Sequence, residues 1–223
     1  MLMKDLRFYE FTGVLAPGAV LLFGLMLLFK GVRQALSGDG MELGELGLFL
    51  VLAYVAGQLL QGLGNLLEQV YWGRWGGMPT EWVQENKALR CRKQLLSSQQ
   101  HDLLGAKVVD HLGLQPESSL AAYVPWERIV RQVSAAVEQG AAGEKVQVFN
   151  GHYGLHRGIA TAFIALLVFA LASGHTDWRI LVGLALGTLI AGYRMHRFAV
   201  HYAKRLFVEF LQLPQPSGEE EAQ

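Results

Sequence analysis

The sequence predicts an all-α membrane protein: a four-span transmembrane helical bundle with a cytoplasmic helical domain between spans 2 and 3. Three observations carry this. Residues 11–29, 46–67, 158–174 and 180–193 contain no charge, and a helix needs about 20 apolar residues to cross the hydrocarbon core. Of the 223 residues, 52% are hydrophobic and only 17% charged, where a soluble domain carries about a quarter charged residues. Finally, no stretch alternates apolar and polar residues with period two, so no sheet is expected.

Residues 1–10 read as a short amphipathic lead. The first span opens with Phe11-Thr12-Gly13-Val14-Leu15-Ala16-Pro17-Gly18, and Pro17 removes a backbone donor one or two turns into the helix, which predicts a kink or a re-entrant start. A simple helix beginning just before Pro17 is the alternative. Residues 31–45, rich in Gly and acidic groups, form a loop. The second span, 46–67, leads to Tyr71-Trp72-Gly73-Arg74-Trp75-Gly76-Gly77-Met78-Pro79. Aromatics beside an arginine suit a membrane interface, and the glycines and proline turn the chain away. An aromatic binding pocket is the sharper reading of the same residues.

Residues 80–157 are helical throughout. Thr80 caps a helix running to about Leu96. Ser97 and Gln100 form a capping box for a second helix, which ends at Gly113. Pro125 opens a third, with Trp126, Ile129, Val130, Val133 and Val137 on one face and Gly140 as its stop. A fourth begins near Gly143 and runs into the third span. Spans three and four form a hairpin through Ser173–Asp177. The last span continues as an amphipathic helix to about Leu213, followed by an acidic tail with Glu219–Glu221. The chain thus divides into 1–70, 71–157, 158–195, 196–213 and 214–223.

Nineteen basic residues balance nineteen acidic ones, so nothing global favours nucleic acid. Lys4, Arg7, Arg74, Arg157, Arg194, Arg197, Lys204 and Arg205 flank the spans on one side. Positive-inside bias then places both termini and the central segment in the cytoplasm. The N-terminus lacks a cleavable-signal pattern and reads as an uncleaved anchor. A lone cysteine, Cys91, suits a reducing compartment.

Several side chains stand out as candidates. Tyr54, Gln58, Gln61, Asn65 and Glu68 recur at intervals of four, three, four and three, which stacks them into one helical stripe. Hydrocarbon cannot satisfy amides, so the stripe must face protein, water or another copy of the chain. Nearby Gly57, Gly62 and Gly64 permit close approach. Glu68 and Arg157 both sit at the cytoplasmic border, where they either snorkel independently or pair as a latch between the bundle and the central domain, which Asn150 and Tyr153 on the same face as Arg157 would extend. Gly183 and Gly187 form a small-xxx-small pair for helix packing, with Gly158, Ala162 and Ala165 lining the third span.

No cofactor and no metal is expected. His152 and His156 lie one helical turn apart, a spacing that chelates zinc only with two further ligands, and neither Cys91 nor His101-Asp102 nor Asp110-His111 supplies them in sequence. Nucleophile elbows, phosphate loops and facing carboxylate pairs are absent. The middle of every span is uncharged, which disfavours ion-coupled transport by a single chain.

Phe8-Tyr9-Glu10-Phe11 with Pro17-Gly18, then Trp72 with Gly76-Gly77-Met78-Pro79-Thr80, then Asn150, Tyr153 and Arg157 make three short patches. In these the chain resembles small bacterial inner-membrane proteins, some found beside anti-phage defence genes. The resemblance implies a membrane effector or its scaffold and carries no catalytic residue. Together these readings predict a non-enzymatic, self-associating membrane component (a homo-oligomer) whose partners are itself, the lipid bilayer and a cytoplasmic protein. An enzyme acting on lipid at the cytoplasmic face is the competing class, and it requires Glu68, His152, His156 or Asp102 to converge. A small transporter subunit ranks third.

Overall fold

A computed structural model describes residues 10–36, 43–85, 94–113, 125–140, 143–174 and 177–214. Of these residues 91% are helical, with no strand among them. A π-helical start, Glu10–Leu15, leads into α1 (Ala16–Leu28), followed by α2 (Lys30–Leu36), α3 (Leu43–Trp75), α4 (Pro79–Glu85), α5 (Ser98–Leu112), α6 (Trp126–Gln139), α7 (Gly143–Ala172) and α8 (Trp178–Gln212). Two segments of helix, Gly44–Gln84 and Gly143–Ala172, are long and apolar enough to cross a membrane, while Gly13–Leu28 is apolar but shorter. The expected lead up to residue 9, Cys91 and the acidic tail with Glu219–Glu221 lie outside the described residues, as does most of the stretch between Glu85 and Leu96.

Two compact units make up the chain, Met1–Tyr71 with Gly151–Arg197 and Trp72–Asn150 with Phe198–Gln223. The boundary therefore falls inside α3, α7 and α8, where continuous helix carries the backbone across the domain limits read from sequence.

In the first unit, backbone is brought against backbone at glycines. A Cβ on Gly57 would meet the Val14 carbonyl oxygen at 2.1 Å, and one on Gly18 would meet that of Ala53 at 1.8 Å. Gly158 likewise faces the Pro17 ring, and Gly187 the Phe163 ring. Leu28, Leu166 and Ala170 close an apolar core, with Leu25, Phe29 and Leu184 packed on it. Gly183 and Gly62 have nothing within 4 Å, so of the expected small-residue pair only Gly187 packs in this way.

Part of the expected loop 31–45 is helical. Phe29 is extended, with φ −124° and ψ 111°, and interrupts the helix. Arg33, Gln34, Ala35 and Leu36 then restart it as α2, because all four are good helix formers. Asp177 Oδ1 accepts from the Arg179 backbone N–H at 3.0 Å at the start of α8.

The second unit is organised by indoles. Gly76 and Gly77 have φ of 71° and 100°, a left-handed geometry that glycine adopts without strain, and they end α3. Pro79 then occupies the first turn of α4, so Thr80 lies inside this helix instead of capping it. Trp82 Nε1 donates to the Gly77 carbonyl at 2.8 Å, and Trp126 Nε1 to that of Thr80 at 2.9 Å. Trp72 meets Trp82 edge-on at 6.0 Å, and both are buried. Trp72 is thus a core residue of this unit and not part of an interfacial belt.

α5 starts with the expected box, in which Ser97 Oγ accepts from the Gln100 N–H while Gln100 Oε1 accepts from the Ser97 N–H. It ends at Gly113 with φ 61°. The α6 face of Trp126, Ile129, Val133 and Val137 is buried, as are Leu206, Phe207 and Phe210 of α8. Lys107 donates to the Leu211 carbonyl at 3.0 Å and to that of Leu213, satisfying acceptors that a helix C-terminus leaves open. Burial pushes the Tyr202 phenol above its ordinary range, assisted by the Glu138 charge and opposed by a hydrogen bond with Ser134.

Candidate functional site

Glu68, Gln61, Tyr153 and Thr161 of the first unit converge on Arg157. It stands on α7 with its side chain 13% exposed, and Gly64 leaves room for it: a Cβ there would sit 3.3 Å from Arg157 Nε. Its Nη1 donates to Glu68 Oε2 and its Nη2 to Gln61 Oε1, the latter at 2.6 Å. The Tyr153 ring lies 5.8 Å from the guanidinium carbon. Thr161 Oγ1 donates back to the Arg157 carbonyl at 2.8 Å.

Gln61 extends the network to the chain's beginning. Its Nε2 donates to the Gly13 carbonyl in the π-helical turn. The reason is local chemistry. Pro17 has no N–H to give the carbonyl four residues back, and a buried carbonyl without a donor costs about 1–3 kcal/mol. Gln61 supplies the missing donor from another helix. This contact is what sequence reasoning missed, although Pro17 four residues after Gly13 was its visible signal.

A second set of contacts joins α7 to α8. Arg194 Nε donates to His156 Nε2 at 2.7 Å, and His156 Nδ1 lies 2.7 Å from the His152 carbonyl. An arginine N–H can only donate, so Nε2 is the acceptor and the ring is neutral with its proton on Nδ1. Both nitrogens of His156 are therefore engaged in this arrangement. Tyr71 OH lies 3.1 Å from His196 Nδ1. Among the described residues no three His, Cys, Asp or Glu side chains group as a metal site would require.

The stripe resolves into two rows. Gln61 and Glu68 turn toward Arg157, whereas Tyr54, Gln58 and Asn65 are exposed. A heptad drifts by about 20° on a straight helix. The row that starts at the exposed Tyr54 accordingly turns, at Gln61 and Glu68, toward the buried face of Ala53, Gly57, Leu60 and Gly64. Gln58 and Asn65 stay on the outer flank. Gly57 and Gly64 are occupied within the chain, by Val14 and Arg157.

Glu68 and Arg157 both belong to the first unit, so their pair ties α3 to α7 inside it. Asn150 and Asp102 belong to the second. A carboxylate gripped by a guanidinium, with its neighbouring amide also bonded, is arranged to hold helices in register. No family model matches the chain, and comparisons with curated proteins and with solved structures return no match.

Proposed function

We propose that the protein is a multi-pass, self-associating membrane scaffold of the bacterial inner membrane, with four spans and both termini cytoplasmic. α1, α3, α7 and the first half of α8 supply the spans, and the second unit is the cytoplasmic part that docks a protein partner. The observation that carries this reading is the surface of α3. Leu59, Leu63, Leu66 and Val70 are exposed beside Gln58 and Asn65.

A core helix of a soluble protein would bury such residues. In the most apolar stretches of Gly44–Gln84 and Gly143–Ala172, only 22% and 39% of residues are buried. Lipid accounts for the leucines, because hydrocarbon is their natural solvent. It does not account for the amides, which need hydrogen-bonding partners there. A second copy of the chain supplies those partners. The resemblance to membrane proteins beside anti-phage defence genes supports an effector scaffold in such a system.

Co-expression of two differently tagged copies tests this. The protein is expected to remain in alkaline-washed membranes, and each tag to co-purify the other after mild solubilisation. Release by the wash contradicts the membrane assignment, and absence of co-purification contradicts self-association.

A further inference from the structure

Val51, Tyr54, Gln58, Gly62, Asn65 and Gln69 are exposed on α3 and lie on one side of it. Their spacing is three, four, four, three and four residues. Gln58 and Gln69 are eleven residues apart, as are Tyr54 with Asn65 and Val51 with Gly62. Eleven residues make three turns at about 3.67 per turn, close to the α-helical period, so this face runs nearly straight along the helix. The heptad stripe does not.

We infer that a second copy of the chain docks on this face in parallel, α3 against α3, with like residues meeting across a two-fold axis. The inference rests on the self-association proposed above and adds its surface, symmetry and register. Copies inserted in one orientation can only meet in parallel, and a two-fold contact then brings each residue near its own counterpart. Self-pairing demands side chains complementary to themselves. Gln58, Asn65 and Gln69 meet that demand, since each amide carries both donors and an acceptor.

Charge obeys the same logic. Glu68 is the one acidic residue between Gln58 and Gln69, and facing its copy it would repel. It is turned inward onto Arg157 instead. Gly62, with nothing within 4 Å, leaves a gap in the middle of the face where two backbones can approach.

Single cysteines in full-length Cys91→Ser protein, oxidised in native membranes, test the register. Gln58→Cys, Gly62→Cys and Asn65→Cys are expected to give disulfide-linked dimers. Leu59→Cys and Leu63→Cys, exposed on another side of α3, are not. Two tagged copies are co-purified from the same membranes. Co-purification with dimers at the leucine positions, or with no dimer at Gln58, Gly62 and Asn65, overturns this face while leaving self-association intact. Loss of co-purification in the Cys91→Ser parent overturns both.

Discussion

Truncating Arg157 would strip Glu68 of its counter-charge, Gln61 of a donor and Tyr153 of a cation. Breaking a fully buried ion pair costs about 3–5 kcal/mol. Glu68 keeps 24% of its side-chain exposure, so Arg157→Ala is expected to cost about 2 kcal/mol by the same argument. Arg157→Lys should cost less, because it keeps the charge but loses the two-pronged geometry that reaches Glu68 and Gln61 together. Thermal unfolding of the purified variants ranks them, and equal losses for Ala and Lys would place the role in packing. The pair itself was legible as two opposite charges at neighbouring ends of two apolar runs. The bonds of His156 to Arg194 and of Tyr71 to His196 were not. They depend on how α7, α8 and α3 pack, which periodicity along one helix does not encode.

At the scale of elements, the approach of the π-helical turn and α1 to α3 is decided by backbone clearance. Gly57→Ala would set a methyl 2.1 Å from the Val14 carbonyl oxygen, and overpacking of this kind costs about 1–3 kcal/mol. Gly62→Ala meets open space and should leave the stability of the single chain nearly unchanged. A melting series of the two variants checks the contrast, and similar losses would contradict the described packing. Helix limits set by local chemistry were readable in advance. The Ser97–Gln100 box, the Gly113 stop, the Gly143 start and the continuity of α8 to Gln212 follow from caps, glycines and apolar spacing. α2 was not readable, because a seven-residue helix beside glycine and acidic groups has no apolar period to announce it. The burial of Trp72 was hidden for a related reason. An indole beside Arg74 looks the same in sequence whether it meets headgroups or Trp82.

For the whole molecule, the division of labour runs between an inward face of α3, where Ala53, Gly57, Leu60 and Gly64 pack within the chain, and an outward face whose amides have no place in lipid. One row of the stripe holds the chain together, and the other is available to a neighbour. The second unit is built on its own indole and capping contacts, and in the function proposed above it is the part that docks a cytoplasmic partner. The central claim is that the outward amides join copies of the protein. Its most direct test is the detergent-corrected mass of the purified protein in a mild detergent, beside that of the Gln58→Leu/Asn65→Leu variant. The wild type should run as an assembly of two or more 24.6 kDa chains, and the variant should fall to one chain while keeping its helical content. A wild type that is itself a single chain, or a variant whose mass is unchanged, would contradict the claim.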